Sequence, residues 1–255
     1  MSAVRHGEEL SEWFSVVSGT GQGDIQGPPV FNIVINWAAQ LAEGQKTVSR
    51  GFALSPEGDS IPDLDYADDM SVMDGSADGL QESTDLLAHF AGFAGLRINS
   101  KKTKTMVISR DLTQRPYTEA GTVNITVEGV PVEQVSDFTY LGSVISADGT
   151  IEKELNTRIG KAHTAFRTLH RIWYNRNIKT STKVRIYRAA VLTVLLYGCE
   201  AWTTTQALER RLEAFHQRCL RKILHVRWNP EKHVSNAEVL ERAGIQPLIM
   251  FNGNS

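Results

Sequence analysis

Between Val30 and Leu41 apolar side chains recur at Val30, Phe31, Val34, Trp37, Ala38 and Leu41, which is the spacing of one helical face. Pro28 and Pro29 suit its first turn and Gly44 its end. Residues 63–75 (DLDYADDMSVMDG) change the period to two, with Leu64 and Tyr66 before an acidic pair and Met70 and Val72 after it, the pattern of two strands joined by a tight turn. Leu80 to Phe93 predicts an amphipathic helix closed by Gly92 or Gly95, and Leu96 to Ile98 leads to a strand at Met106, Val107 and Ile108. Alternation returns over residues 123–145, with a turn at 129–131 and Phe138, Tyr140, Gly142 and Val144 in register. Beyond residue 150 the period is helical. One stripe runs through Ile151, Leu155, Ile159, Ala162, Phe166 and Leu169, a second through Val184, Tyr187, Val191 and Leu195, and a third through Leu208, Leu212, Phe215, Cys219 and Ile223. The expected fold class is α+β: a mixed body of strands and helices over residues 1–149, then an all-helical bundle over 150–255.

Composition adds a division of charge. The 255 residues, 41% of them hydrophobic, can bury a sizeable core as one large or two smaller domains. The longest apolar run, residues 189–199, is too short to span a bilayer and no basic-then-apolar segment opens the chain, so an intracellular setting is expected, nucleus or cytoplasm alike. Cys199 and Cys219 lie without C-x-x-C spacing, which predicts buried thiols rather than zinc ligands or a disulfide. The net charge of −2 conceals 9 Lys and Arg against 21 Asp and Glu in residues 1–150, and 18 against 8 thereafter. A basic half beside an acidic half suits a polyanion-binding arm on a cation-binding body; two halves that neutralise each other would give the same asymmetry. The polar faces of the later helices supply the cations, among them Arg158, Lys161, Arg167, Arg171, Lys183, Arg185 and Arg188, with Trp173, Tyr174, Trp202 and Trp228 among them. These are expected to contact nucleic-acid phosphates.

The candidate chemistry sits in DYADDM, residues 65–70. Two adjacent carboxylates, Asp68 and Asp69, repel unless a cation or a solvated turn accommodates them. Magnesium takes a carboxylate or two with water and substrate phosphates, and two such ions can clamp both oxygens of a phosphoryl transfer. Upstream, SGTGQGD (18–24) carries three glycines that allow a backbone to approach a ligand closely.

Taken in order, the motifs resemble those of the reverse transcriptases of non-LTR (LINE-type) retrotransposons. SGTGQGDIQGPPVFNIVIN (18–36) resembles the family's Q-G loop and following helix, YADD (66–69) its metal-binding hairpin, GLRINSKKTKTM (95–106) the next motif, and FTYLGSVIS (138–146) its primer-grip hairpin. LLYGCEAW and RCLRKIL (195–202, 218–224) resemble the helical region after it. The likeness implies a partial palm, with Q-G loop, YADD hairpin and primer-grip hairpin, then a thumb-like bundle. It further implies Mg2+ (or Mn2+), deoxynucleotides, and a DNA primer on an RNA template. By the same resemblance Asp68 is the principal metal ligand and Asp69 its neighbour, while Tyr66 and Ala67 shape the turn beside the primer end. Gln22 and Gly23 line the template and nucleotide, Lys102 assists the pyrophosphate leaving group, and Tyr140, Leu141 and Gly142 grip the primer.

The departures from the family pattern shape the functional expectation. Gly21 stands where the family usually has Arg, and Gly27 where it usually has Ser before proline, which weakens the helix cap. A motif resembling F-x-D-x-x-x-A-F-D is expected ahead of the Q-G loop, yet the acids before Ser18 are Glu8, Glu9 and Glu12, and no segment resembles the fingers. The expectation is a reverse transcriptase fragment, shortened at both ends and inactive alone, that needs an upstream segment or self-association. A non-catalytic nucleic-acid-binding remnant and a different magnesium-dependent phosphoryl transferase are the alternatives.

Overall fold

The computed structural model describes residues 3–15, 24–48, 51–53, 60–67, 69–108, 121–227, 229 and 233–248. It divides into two units, the first holding the chain to Thr105 together with Thr122–Gln134, the second built mainly from Val135 onward.

The first unit opens with a short antiparallel pair, β1 (Arg5–His6) and β2 (Glu9–Leu10). Helix α1 (Gly27–Gln45) follows; its N-cap is Gln26, with no side-chain cap bond, so Gly27, expected at the cap, lies inside the first turn with proline after it. Two further antiparallel pairs come next: β3 (Phe52–Ala53) with β4 (Ser60–Ile61), and β5 (Asp63–Tyr66) with β6 (Asp69–Val72). Helix α2 (Ala77–Phe93) is capped by Ser76, whose hydroxyl accepts from the Gly79 amide at 3.1 Å. The Asp74 carboxylate just before it accepts from the amides of Gly51 and Ser76, joining the end of β6 to the start of α2 and the residue before β3. A Cβ at position 79 would stand 2.4 Å from Asp74 Oδ1, so a larger residue there would displace the Asp74 carboxylate from its amides. From the exposed side of α2, Glu82 accepts from the amides of Thr47 and Val48 and so fixes the chain leaving α1.

The face that α1 buries differs from the expected stripe. Ala38 and Ala42 pack on Phe90 and Leu86 of α2, while Val30, Ile33 and Trp37 are exposed. Small side chains let two helices approach closely, so here alanine marks the contact and the large residues do not. The strand expected at 106–108 is instead β7 (Lys104–Thr105), which pairs in parallel with β10 (Glu133–Gln134); between them in sequence lie β8 (Thr126–Val127) and β9 (Val130–Pro131).

The second unit joins a hairpin, β11 (Asp137–Tyr140) and β12 (Ser143–Ser146), to helices α3 (Glu152–Thr168), α4 (His170–Tyr174), α5 (Thr180–Tyr187), α6 (Thr193–Leu195), α7 (Gln206–Ile223) and α8 (Asn236–Ala243). A π-helical turn, Arg188–Leu192, links α5 to α6. The three expected stripes meet in one core around Leu155, Phe166, Tyr187, Leu195, Phe215, Leu220 and Ile223. Trp173 joins them, stacked on Phe166 at 4.9 Å with its indole nitrogen donating to the Phe166 carbonyl at 2.7 Å. The hairpin of residues 137–146 thus groups with the helices, in the unit that holds Val135 onward. The hairpin's period of two reads as part of the β-rich body, but its hydrogen bonds run to α3. Helix α8 went unpredicted although Ser235 and Glu238 form a capping-box spacing, and the Ser235 hydroxyl accepts from the Glu238 amide. Both cysteines are free thiols. Among the described residues no helix is long and apolar enough to cross a membrane.

Candidate functional site

The β5–β6 ladder is in the expected register, with Tyr66 opposite Asp69, Asp65 opposite Met70, Leu64 opposite Ser71 and Asp63 opposite Val72. Of the residues that join the two strands, Ala67 is described, and it has a φ of 56°. Such a left-handed conformation costs a non-glycine residue roughly 1–2 kcal/mol. Cross-strand partners share a face, so Tyr66 and Asp69 stand on one side and Asp63 and Asp65 on the other. Tyr66 is 65% exposed, which leaves the tip open. Asp68, like Gln22 and Gly23 of the glycine loop, lies outside the described residues, as does Trp228.

On the opposite face, burial raises the Asp63 carboxyl above the ordinary aspartate range, with Lys46 opposing and Glu43 adding to the effect. Asp65 is raised as well, first by burial and then by Asp63. Asp69 stands on the other face, beside Tyr66. Asp69 offers the hard oxygen donor that magnesium takes, and the adjacent Asp68 supplies a second of the same type. A carboxylate pair of this kind fits an ion completed by water and phosphate, although among the described residues no cluster of three or more His, Cys, Asp or Glu side chains forms. Lys102 is placed on the exposed turn between α2 and β7, where its amide donates to the Asn99 carbonyl at 3.0 Å.

The β11–β12 hairpin repeats the design. Tyr140 faces Ser143 across a two-residue turn in which Leu141 has a φ of 48° and Gly142 a φ of 83°. Both positive angles are what a two-residue hairpin turn with the proper twist requires. Here the turn is held from the helices. Arg158 donates to the Gly142 carbonyl at 2.5 Å and to Glu154 at 2.6 Å, and Glu154 accepts from the Val144 amide at 2.7 Å. The Tyr197 hydroxyl donates to the Leu141 carbonyl at 2.8 Å. At the strand ends Lys153 and the hydroxyls of Ser146 and Ser136 bond Asp137, and the Lys153 bond first among them holds its carboxyl below the ordinary range.

Two of the seven cations expected on the solvent face are therefore not there. Arg158 is buried against Glu154, and Lys183 is buried with its ammonium donating to the Trp173 carbonyl at 2.7 Å. A buried cation persists only with bonded partners, and both have them. Lys161, Arg167, Arg171, Arg185 and Arg188 are exposed as expected. The residues that sequence reasoning missed are Glu154 and Tyr197. The signals were present: Glu154 and Arg158 have the i, i+4 spacing of an ion pair, and Tyr197 lies in the quoted LLYGCEAW.

Within the helical core the Tyr187 hydroxyl lies 2.9 Å from His216 Nδ1. Burial lowers the His216 pKa and pushes the neighbouring Cys219 thiol up to about 12. These groups are held neutral, which marks them as core and not chemistry.

The family model described as reverse transcriptase (RNA-dependent DNA polymerase) matches residues 3–145, more than half of the chain. A relative from Caenorhabditis elegans, described as an uncharacterized transposon-derived protein, is 26% identical over 169 residues, which is 66% of this chain and 58% of the relative. The chain thus matches less than two thirds of that relative's length.

Proposed function

The chain belongs to the reverse transcriptase (RNA-dependent DNA polymerase) family, and on that premise we propose that it forms the palm and thumb-like part of a transposon-derived reverse transcriptase of the non-LTR type. Family members in general act on a nucleic-acid template and primer and depend on divalent metal. In this reading Asp68 and Asp69 hold Mg2+ or Mn2+, which when bound neutralises charge on the transferring phosphoryl group. Tyr66 and Ala67 fix the turn beside the primer end, and Gln22 and Gly23 line the template and the incoming deoxynucleotide. Lys102 offers a proton or positive charge to the leaving pyrophosphate. Lys161, Arg167, Arg171, Arg185 and Arg188 hold the duplex by its phosphates, with no demand on sequence.

The observation that carries the reading is the hairpin itself: the register that sets Tyr66 beside Asp69 at an exposed tip, with Asp63 and Asp65 on the other face. Its test is metal-directed cleavage. Fe2+ with ascorbate should cut the full chain near residues 66–70 in competition with Mg2+, and Asp68→Asn and Asp69→Asn should each abolish the cut. Primer extension on a primed RNA template, if present, should vanish in the same variants. Cleavage elsewhere, or extension indifferent to both substitutions, overturns the assignment. Binding of primed template should weaken as salt rises, with a slope near −0.9 per phosphate neutralised. Affinity unchanged from low to moderate salt speaks against the helical unit as the phosphate-binding surface.

A further inference from the structure

The Leu141–Gly142 turn is gripped by three side chains from beyond the hairpin, and each of them bonds one of its backbone groups, Arg158 reaching the Ser143 hydroxyl as well. Glu154 takes the Val144 amide, Arg158 supplies the Gly142 carbonyl, and Tyr197 supplies the Leu141 carbonyl. Such bonds fix the shape of the turn whatever its side chains. The Arg158 guanidinium also lies 4.4 Å from the centre of the Tyr197 ring, so the three residues form one assembly and not separate ties. The approach is close: Gly198 has a φ of 73°, and a Cβ there would lie 3.0 Å from Ser143 Oγ. A larger residue at 198 would be strained by that φ and would press on the Ser143 hydroxyl.

Packing alone does not account for this arrangement. A buried ion pair is often replaceable by apolar residues of similar volume without loss of stability, so directed bonding is the property that Glu154 and Arg158 add. Tyr197 is half exposed, and its hydroxyl reaches across 56 residues of sequence to a single carbonyl. Leu141 meanwhile occupies a conformation that leucine avoids, and backbone strain of this sort persists where the surroundings over-determine it. A strained turn fixed by its backbone from a buried charge pair is a device for holding position.

The geometry assigns Glu154, Arg158 and Tyr197 as positioning residues that lock the Leu141–Gly142 turn in the shape that meets the primer terminus. This rests on the reading of β11–β12 as the primer grip, and none of the three touches substrate. The test uses the full chain, wild type, Tyr197→Phe and Arg158→Lys, bound to a primed RNA template whose primer ends in a photo-crosslinking 4-thiothymidine. Tyr197→Phe keeps the ring and its packing and loses only the hydroxyl, so it remains informative if Arg158→Lys folds poorly. Amide exchange over residues 140–146 should quicken by about fivefold or more in Tyr197→Phe, the worth of one hydrogen bond, with exchange in α7 unchanged. Crosslinking of the terminus to residues 140–143 should fall by a similar factor while overall affinity for the duplex holds. Exchange and crosslinking both unchanged in the two variants overturns the clamp while leaving the primer grip in place. Faster exchange with undiminished crosslinking makes it a structural tie and overturns the positioning role. A wild-type terminus that crosslinks away from 140–143, with exchange still dependent on Tyr197, overturns the primer-grip reading and the positioning role that rests on it.

Discussion

The two hairpins at 63–72 and 137–146 are built alike, as four-residue strands in antiparallel register whose first strand is followed by a non-glycine residue with a positive φ. They differ in what surrounds the turn. At 137–146 the backbone is taken up by a buried ion pair and a tyrosine, while at 63–72 Tyr66 is 65% exposed and the Asp63 and Asp65 carboxyls, raised by partial burial, lie on the other face. One turn is bonded through its backbone by Glu154, Arg158 and Tyr197; the other carries an exposed tyrosine at its base.

The comparison breaks first at Arg158. Removing one partner of a buried charge pair strands the other, so Arg158→Met should cost about 3 kcal/mol in denaturant unfolding. Tyr66→Phe, on the exposed tip, should stay within about 0.5 kcal/mol of wild type. A loss below about 1 kcal/mol for Arg158→Met would mean that Glu154 finds water or another donor, and that the hairpin is not clamped as described.

That difference was only half legible in the sequence. Alternation around YADD and around Phe138 to Val144 located both hairpins, since a period of two with a polar break has few other readings. The helical stripes through Leu155, Val184 and Leu212 likewise converge on one core, because a wide apolar face must be buried. The support of each turn was hidden, because it joins residues far apart in sequence: Tyr197 meets Leu141 across 56 positions. Charge misled for a related reason. Arg158 and Lys183 read as solvent-facing by type, and only the fold supplies Glu154, Gly142 and Trp173 as their partners. In α1 the mistake was one of size, with Ala38 and Ala42 in the contact and Trp37 outside it.

Acid should separate the two regions with opposite signs. His216 is fully buried with its pKa lowered by burial, so the unfolded chain binds a proton that the folded helical unit refuses. Its contribution is complete above the ordinary value of 6.5 and is lost as pH falls below it, with a slope of at most about 1.4 kcal/mol per pH unit. Asp137, held below the ordinary 3.8, adds a further loss only as pH falls through its folded value. Asp63 and Asp65 are raised instead, so their contribution is full below 3.8 and lost as pH rises through their folded values; acidification favours that hairpin. Amide exchange read from pH 7 to 4, corrected for its intrinsic rate, should show protection falling in α7 and rising over 63–72. Parallel changes in both regions would remove the electrostatic contrast between them.

The smallest effect probes the turns directly. Ala67 sits at a φ of 56°, where glycine is free of the Cβ clash, so Ala67→Gly should protect amides across 63–72 by about 0.5–1 kcal/mol. Leu141→Gly relieves the same strain at a φ of 48°, but it also removes a side chain that is only 37% exposed, and its carbonyl is already held by Tyr197. Relief and lost burial are of similar size there, so the net change over 137–146 should be near zero. Tyr197→Phe in the Leu141→Gly background sharpens the point: with the strain gone the hydroxyl has less to restrain, and its removal should quicken exchange at 140–146 less than it does beside Leu141. Equal gains from glycine at both turns, or an undiminished effect of Tyr197→Phe in the Leu141→Gly background, would show that the clamp does not act by holding a strained backbone.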